Sequence, residues 1–205
     1  MHNFYLFGKG ELAIYCGEKY LSKYPHKNLK IIPTLPEPDW TESLSSWAKN
    51  NQVELISFSD IKGSNLGENA IGISIYYDKI FKKQVIDKFI RLCNIHNGPL
   101  PKYRGMNPVN WALKNNEAKH GITLHIIDEG IDTGEILDQE IFSINQEMEV
   151  IDVYELCIKK GRVLIDNNLL KLDKIISKPQ DHSKSLYYSK LDYENLGDRK
   201  NFTRN

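Results

Sequence analysis

Two short stretches place polar side chains where they can act together on a carbonyl centre. The first is Asn94-Ile95-His96-Asn97-Gly98-Pro99-Leu100-Pro101. Side chains alternate along a strand, so Asn94 and His96 project from one face, about 6.5–7 Å apart along the chain. Cys93 and Ile95 face the other way, and Gly98-Pro99 ends the strand. Taken alone, this pair reads more readily as side chains satisfied by turn hydrogen bonds. The second stretch is Asp128-Glu129-Gly130-Ile131-Asp132-Thr133-Gly134, a tight acidic loop between two strands, where Asp-Thr-Gly by itself is an ordinary turn. Together the two stretches offer an amide donor, a titratable imidazole and a carboxylate. Such a set can stabilise an oxyanion and move protons. Apart from Cys93 on the opposite face, neither stretch carries a Ser or Cys nucleophile. That favours direct attack by an amine or water over a covalent intermediate.

Other familiar motifs are missing. Gly8-Lys9-Gly10 is too short for a phosphate loop of the GxxxxGK[ST] type. With Ala13 it meets only the permissive form of a dinucleotide fingerprint, and no acidic residue closes a second strand near position 33. No GxSxG or HExxH occurs, and the six histidines lack zinc-ligand spacing. The three cysteines, Cys16, Cys93 and Cys157, form no CxxC pair, so reduced thiols and no bound metal are expected.

These residues need elements to hold them. Strand patterns at 3–7, 29–32, 53–58, 71–77, 90–96, 121–127 and 135–144 alternate with helical patterns in the first half. Asp39 followed by Glu42 predicts a capping box opening a helix whose apolar face is Trp40, Leu44, Trp47 and Ala48. A short helix is expected over 81–88, and another where Asn107 caps a turn with Pro108 at its first position. A longer one follows with Val150, Val153, Tyr154, Cys157, Gly161 and Leu164 on one stripe. Such alternation implies an α/β architecture with a mostly parallel sheet flanked by helices. Ligands on such sheets sit at the carboxyl ends of the strands, where Asn94, His96 and the acidic loop fall.

The chain has 205 residues, 40% of them hydrophobic and 26% charged, which excludes a disordered chain. Its 27 basic and 27 acidic residues cancel. That argues against a nucleic-acid partner, since affinity for phosphate backbones rests on clustered positive charge. The N-terminus shows no signal peptide, and the longest mostly apolar run, 69–77, is too short for a membrane span. A cytoplasmic protein with no membrane association is expected.

The run Asn94–Trp111, followed by Thr123-Leu124-His125 and Asp132-Thr133-Gly134-Glu135-Ile136, resembles the core of the folate-dependent formyltransferases. That family's pattern is roughly N-x-H-x-x-x-L-P-x-Y-R-G-x-x-P-x-x-W, then T-x-H, then D-x-G-x-I. The usual Ser-Leu before Leu-Pro is replaced here by Gly98-Pro99. The resemblance covers Asn94–Leu137 and implies a Rossmann-like formyltransferase fold. The catalytic domain would span 1–175, and 176–205 would form a short C-terminal extension used for dimerisation, giving a homodimer. The resemblance also implies N10-formyltetrahydrofolate as co-substrate and Asn94, His96 and Asp132 as the catalytic residues. The pterin would lie between Tyr77 with Ile80 and the loop bearing Asp128, Gly130 and Ile131. Lys79 and Arg104 are candidates for substrate phosphates by charge and location alone. His125 reads as a structural histidine.

Among the branches, the glycinamide ribonucleotide enzymes carry a Gly-Asn-Gly-Ser-Asn loop where this chain has Gly8-Lys9-Gly10-Glu11. The methionyl-tRNA enzymes carry a C-terminal barrel that 205 residues leave no room for, and the formyltetrahydrofolate hydrolases carry an N-terminal regulatory domain. The Tyr103-Arg104-Gly105-Met106-Asn107-Pro108 segment and Leu186–Lys190 most resemble the nucleotide-sugar N-formyltransferases. The implied reaction transfers a formyl group to the amine of a nucleotide-linked amino sugar, such as a dTDP-amino-dideoxy sugar used in O-antigen or lipopolysaccharide synthesis. The alternatives are formyltetrahydrofolate hydrolysis and transfer to another small amine. In the implied mechanism the amine attacks the formyl carbon and Asn94 donates to the developing oxyanion. Asp132 orients His96, which either accepts the amine proton or, when charged, stabilises the oxyanion.

Overall fold

The computed structural model describes residues 2–202. Its first strand, β1 (Asn3–Gly8), is buried over almost its whole length. Such a continuous apolar run belongs at the centre of a parallel sheet covered on both faces. β1 pairs in parallel with β2 (Leu29–Pro33) on one side and β4 (Ala70–Ile75) on the other. The two-residue β3 (Glu54–Leu55) extends the β2 side, and β5 (Arg91–His96) extends the β4 side, both in parallel. β7 (Lys119–Ile126) then joins β5 antiparallel, and β8 (Ile136–Ser143) joins β7 antiparallel. The sheet order is β3-β2-β1-β4-β5-β7-β8, so the mostly parallel α/β architecture is as expected. The chain leaves β1 in one direction and returns to β4 in the other. The carboxyl ends of β1 and β4 therefore open a crevice at the switch point.

Helices α1 (Gly10–Leu21), α5 (Pro108–Lys114) and α6 (Val150–Asn168) bury one face of the sheet around Leu6, Leu12, Ile73, Ile95, Cys157 and Leu164. On the other face α3 (Phe58–Gly63) and α4 (Lys83–Ile86) close over Tyr5, Phe7, Ile61, Phe81 and Phe89. The alternation of Leu6 with Phe7 in β1 feeds the two cores separately.

Several elements depart from the sequence reading. Helix α2 (Leu44–Asn50) starts five residues after Asp39. Ser43 caps it by accepting the Ser46 N–H, while the Glu37 carboxylate accepts from the Ser43 hydroxyl and the Ser45 N–H. With those donors already satisfied, the Asp39–Glu42 box has no helix end to serve, and Trp40 is left exposed. The expected strand over 53–58 shrinks to β3. Ser57 and Asp60 form a reciprocal capping box that turns the chain into α3 instead. The 81–88 helix is a single turn, α4. Asn107 precedes α5 in the left-handed region, φ 55°, with no side-chain cap. The C-terminal residues fold back. β9 (Tyr187–Tyr188) pairs in parallel with β6 (Arg104–Gly105), and a kinked run of tight helical turns covers 190–200.

Candidate active site

Strand β5 delivers Asn94 and His96 to the sheet edge, and β7 runs antiparallel beside it with His125 directly opposite Asn94. The loop after β7 turns back and brings Asp132 beneath both histidines. Gly134 lets it pass, because a Cβ there would stand 1.9 Å from the Ile126 carbonyl oxygen. Asp132 itself sits at φ 53°, an uncommon conformation for a residue with a side chain.

His96 Nδ1 lies 3.4 Å from Asp132 Oδ2, and His125 Nε2 lies 3.4 Å from Asp132 Oδ1. Asn94 Nδ2 is 3.1 Å from His125 Nε2. The far nitrogen of His125 faces the Ile126 carbonyl at 2.8 Å, and His96 Nε2 faces the Tyr103 carbonyl at 2.7 Å. A carbonyl only accepts, so each of those nitrogens donates a hydrogen. Both ring nitrogens of His96 thus face acceptors, while His125 Nε2 stands between an amide donor and a carboxylate. Both histidines are buried, as is most of the Asp132 side chain. Burial pushes the Asp132 carboxyl up. The opposing pull of His96, of His125 and of the Gly105 N–H at 2.9 Å is larger and holds it well below the usual carboxylate range.

These groups lie at the floor of a cleft of about 660 Å³. Tyr77, Lys79, Ile80, Asp128, Gly130 and Ile131 all line it. Tyr77 packs with Phe7, Phe58 and Phe81, the aromatic set of the α3–α4 face. Its buried hydroxyl has no hydrogen-bond partner. Asp128 shapes the loop by accepting from the Gly130 N–H at 3.1 Å and the Thr133 hydroxyl at 2.5 Å. A flat, polar-edged ring fits such a wall: apolar side chains flank it, backbone groups edge it, and one hydroxyl lacks a partner.

Residues from the α6 face also line the cleft. Tyr76 meets Tyr154 at 5.7 Å between ring centroids, Tyr154 meets Phe202 at 5.5 Å, and Trp40 meets Phe202 at 5.9 Å. Lys9 and Lys190 reach the same space. Sequence spacing gives the Lys9 segment no motif, puts Trp40 on a helix's apolar face, marks none of Tyr154, Phe202 and Lys190 as cleft residues and reads His125 as structural. Only His125 carried a signal, since its parity in β7 matches that of a residue facing Asn94.

Arg104 requires a correction. It is not on the cleft wall but 6% exposed, and both its Nε and Nη2 donate to Gln180 Oε1, at 3.1 and 2.6 Å. β6 turns its side chain inward while the backbone continues to Gly105, so the guanidinium is not placed to meet a substrate phosphate. Among the described residues no group of His, Cys, Asp and Glu could hold a metal ion, and no helix is long and apolar enough to cross a membrane.

Residues 65–165 match the family model described as formyl transferase. The fold superposes on an N-formyltransferase from Helicobacter canadensis, solved with folinic acid and dTDP-3-aminofucose. The TM-score is 0.85 and the identity 30%, covering 94% of this chain and 72% of that one. It also superposes on WlaRD, a sugar 3N-formyl transferase solved with dTDP and 5-N-formyl-THF, with TM-score 0.86 and 30% identity, covering 94% and 71%. In sequence, the methionyl-tRNA formyltransferase of Fervidobacterium nodosum is 37% identical over 126 residues, 62% of this chain and 40% of that one. The chain spans about 40% of the length of these curated methionyl-tRNA formyltransferases. The likeness runs through the strands and the loop that bring Asn94, His96 and Asp132 together, and the chain belongs to the formyltransferase family.

Proposed function

We propose that the protein transfers a formyl group from N10-formyltetrahydrofolate to the amine of a nucleotide-linked amino sugar. The observation that carries this reading is the convergence of Asn94, His96 and Asp132 at the floor of a cleft with two unlike walls. The Tyr77–Ile80 and Asp128–Ile131 wall suits a pterin. The Trp40–Tyr154–Phe202 wall, with Lys9 and Lys190, suits a base and its phosphates: aromatic faces stack on bases and ammonium groups attract phosphate oxygens. The two solved relatives with 30% identity hold a folate and a dTDP compound, which supports the same division.

The folate, when bound, supplies the formyl carbon. The Asn94 amide nitrogen lies 3.1 Å from His125 Nε2, which fixes the amide and leaves an N–H for the formyl oxygen. His96, with both nitrogens on acceptors, has no lone pair turned to the amine and is placed beside the developing charge rather than as a base. Asp132 stays ionised beside the imidazole and orients it. Preorganised donors of this kind act most strongly where water is excluded. The attacking amine loses a proton and the leaving nitrogen gains one, so no net proton is consumed.

A second reading, transfer to the amine of methionyl-tRNA, is favoured by the 37% identity to enzymes of that name. One experiment separates the readings. The protein is incubated with the formyl donor and, in parallel arms, a panel of dTDP- and UDP-linked amino sugars, charged methionyl-tRNA, or water alone. Mass spectrometry and tetrahydrofolate release are followed. Formyl gain by a nucleotide sugar is expected. Formylation confined to methionyl-tRNA, or donor turnover in water alone, would replace this reading.

A further inference from the structure

The polypeptide between residues 178 and 188 returns to the site from behind. Lys178 and Ile136 exchange both backbone hydrogen bonds, at 2.8 Å each, directly after the Asp132 loop. Two residues on, Gln180 is buried, 6% exposed, and all four of its amide's main bonding positions are filled. Its Nε2 donates to the carbonyl oxygens of Asp132 (2.9 Å) and Gly134 (2.6 Å), and its Oε1 accepts twice from Arg104. This orientation is forced. A flipped amide would set Oε1 against two carbonyls and Nε2 against a guanidinium.

The same chain then forms β9. Arg104 N–H donates to the Leu186 carbonyl and Met106 N–H to the Tyr188 carbonyl, both at 2.8 Å. Strand parity turns the Gly105 N–H between them the other way, onto Asp132 Oδ2. Gly105 sits at φ +88°, and a Cβ there would stand 2.2 Å from the Tyr188 carbonyl oxygen, so the close approach requires glycine.

Resting on the proposed role of Asp132, we propose that Gln180 is a positioning residue for that carboxylate. It clamps the backbone on both sides of Thr133 and joins it through Arg104 to the strand whose Gly105 amide holds the carboxylate oxygen. Asp132 is kept at its left-handed φ by bonds at both ends, to its own carbonyl and to its side chain. Both depend on the 178–188 segment. That segment is then a working part of the site and not a separable appendage.

The test uses Gln180→Glu in the full chain. Glutamate still accepts from Arg104 but cannot donate to the Asp132 and Gly134 carbonyls. The expected result is a 10- to 100-fold loss of kcat with KM for donor and acceptor within twofold of wild type. Amide hydrogen exchange at Gly105 should also accelerate at least tenfold, since that N–H reports where the carboxylate sits. A folded variant with kcat within twofold and Gly105 protection unchanged would overturn the proposal. Should Gln180→Glu fail to fold, Gln180→Asn carries the same two readouts, being neutral but one methylene too short to bridge. The Gly105 exchange arm needs no substrate. A wild-type protein that turns over no formyl donor would refute the proposed function, while altered Gly105 exchange would still establish the clamp.

Discussion

His96 Nδ1 and Asp132 Oδ2 stand 3.4 Å apart although 36 residues separate them in the chain. His96 is the last residue of a parallel strand, and Asp132 belongs to a loop that leaves the neighbouring antiparallel strand. The carboxylate also faces His125, so one acid group is shared between two imidazoles. The charge that Asp132 holds is thereby stabilised in a buried setting where an unpaired carboxylate would be costly.

Asn94 supplies the neutral donor of this group. Asn94→Ala is expected to lower kcat by ~10²–10³, the usual effect of removing one oxyanion donor. Folinic acid affinity, read by calorimetry, should change less than twofold. A variant with normal kcat would remove Asn94 from the mechanism.

His120 gives a pH dependence of stability. Burial pulls its imidazole down to about 4, against the opposing hydrogen bond to the Asn97 carbonyl. Its depressed value means the stability is complete above the unfolded value near 6.5. It is lost as pH falls from there towards 4, because the unfolded chain binds the proton first. The loss should total about 3 kcal/mol at ~1.36 kcal/mol per unit. Urea unfolding between pH 4 and 7 should show this slope, and His120→Phe should flatten it. An unchanged slope in the variant would reject the assignment.

Trp40 tests the proposed nucleotide side of the cleft. Its ring is 58% exposed and meets Tyr154 and Phe202 at 6.1 and 5.9 Å. Trp40→Ala should weaken dTDP binding by ~1–3 kcal/mol, the range for base–aromatic stacking, with folinic acid binding unaltered. Equal dTDP affinity in wild type and variant would place the nucleotide elsewhere.

The thiols should be inert in the folded protein. Cys16, Cys93 and Cys157 are all buried, and burial pushes each thiol up, Cys93 to about 12. Thiolate is the reactive form, so a chromogenic disulfide reagent should label none of the three natively and all three in denaturant. Rapid native labelling of any one would contradict this packing.

The sequence by itself determined the layered α/β fold and the three groups that meet on the cleft floor. Alternation in β5 puts Asn94 and His96 on one face, and the run 128–134 marks a tight acidic turn after a strand; the choice of Asp132 as the third group came from the family resemblance. The sequence also placed Tyr77 and the 128–131 loop beside the cleft, because they follow directly on strands β4 and β7. Only the tertiary structure decided which cation lines the cleft and which is buried. Arg104 and Lys79 look alike as charges in a sequence, yet Gln180, 76 residues further on, occupies the guanidinium of Arg104, while Lys79 lines the cleft. The partnership of His125 with Asn94 depended on antiparallel register across β5 and β7. The Trp40–Tyr154–Phe202 wall depended on three segments far apart in the chain. Ser43, Glu37 and the Ser57–Asp60 box moved two element boundaries, because several polar groups compete for the same helix ends and the fold selects among them. Local patterning fixes which face a residue occupies. What that face meets is set by packing between distant segments, which no spacing rule encodes.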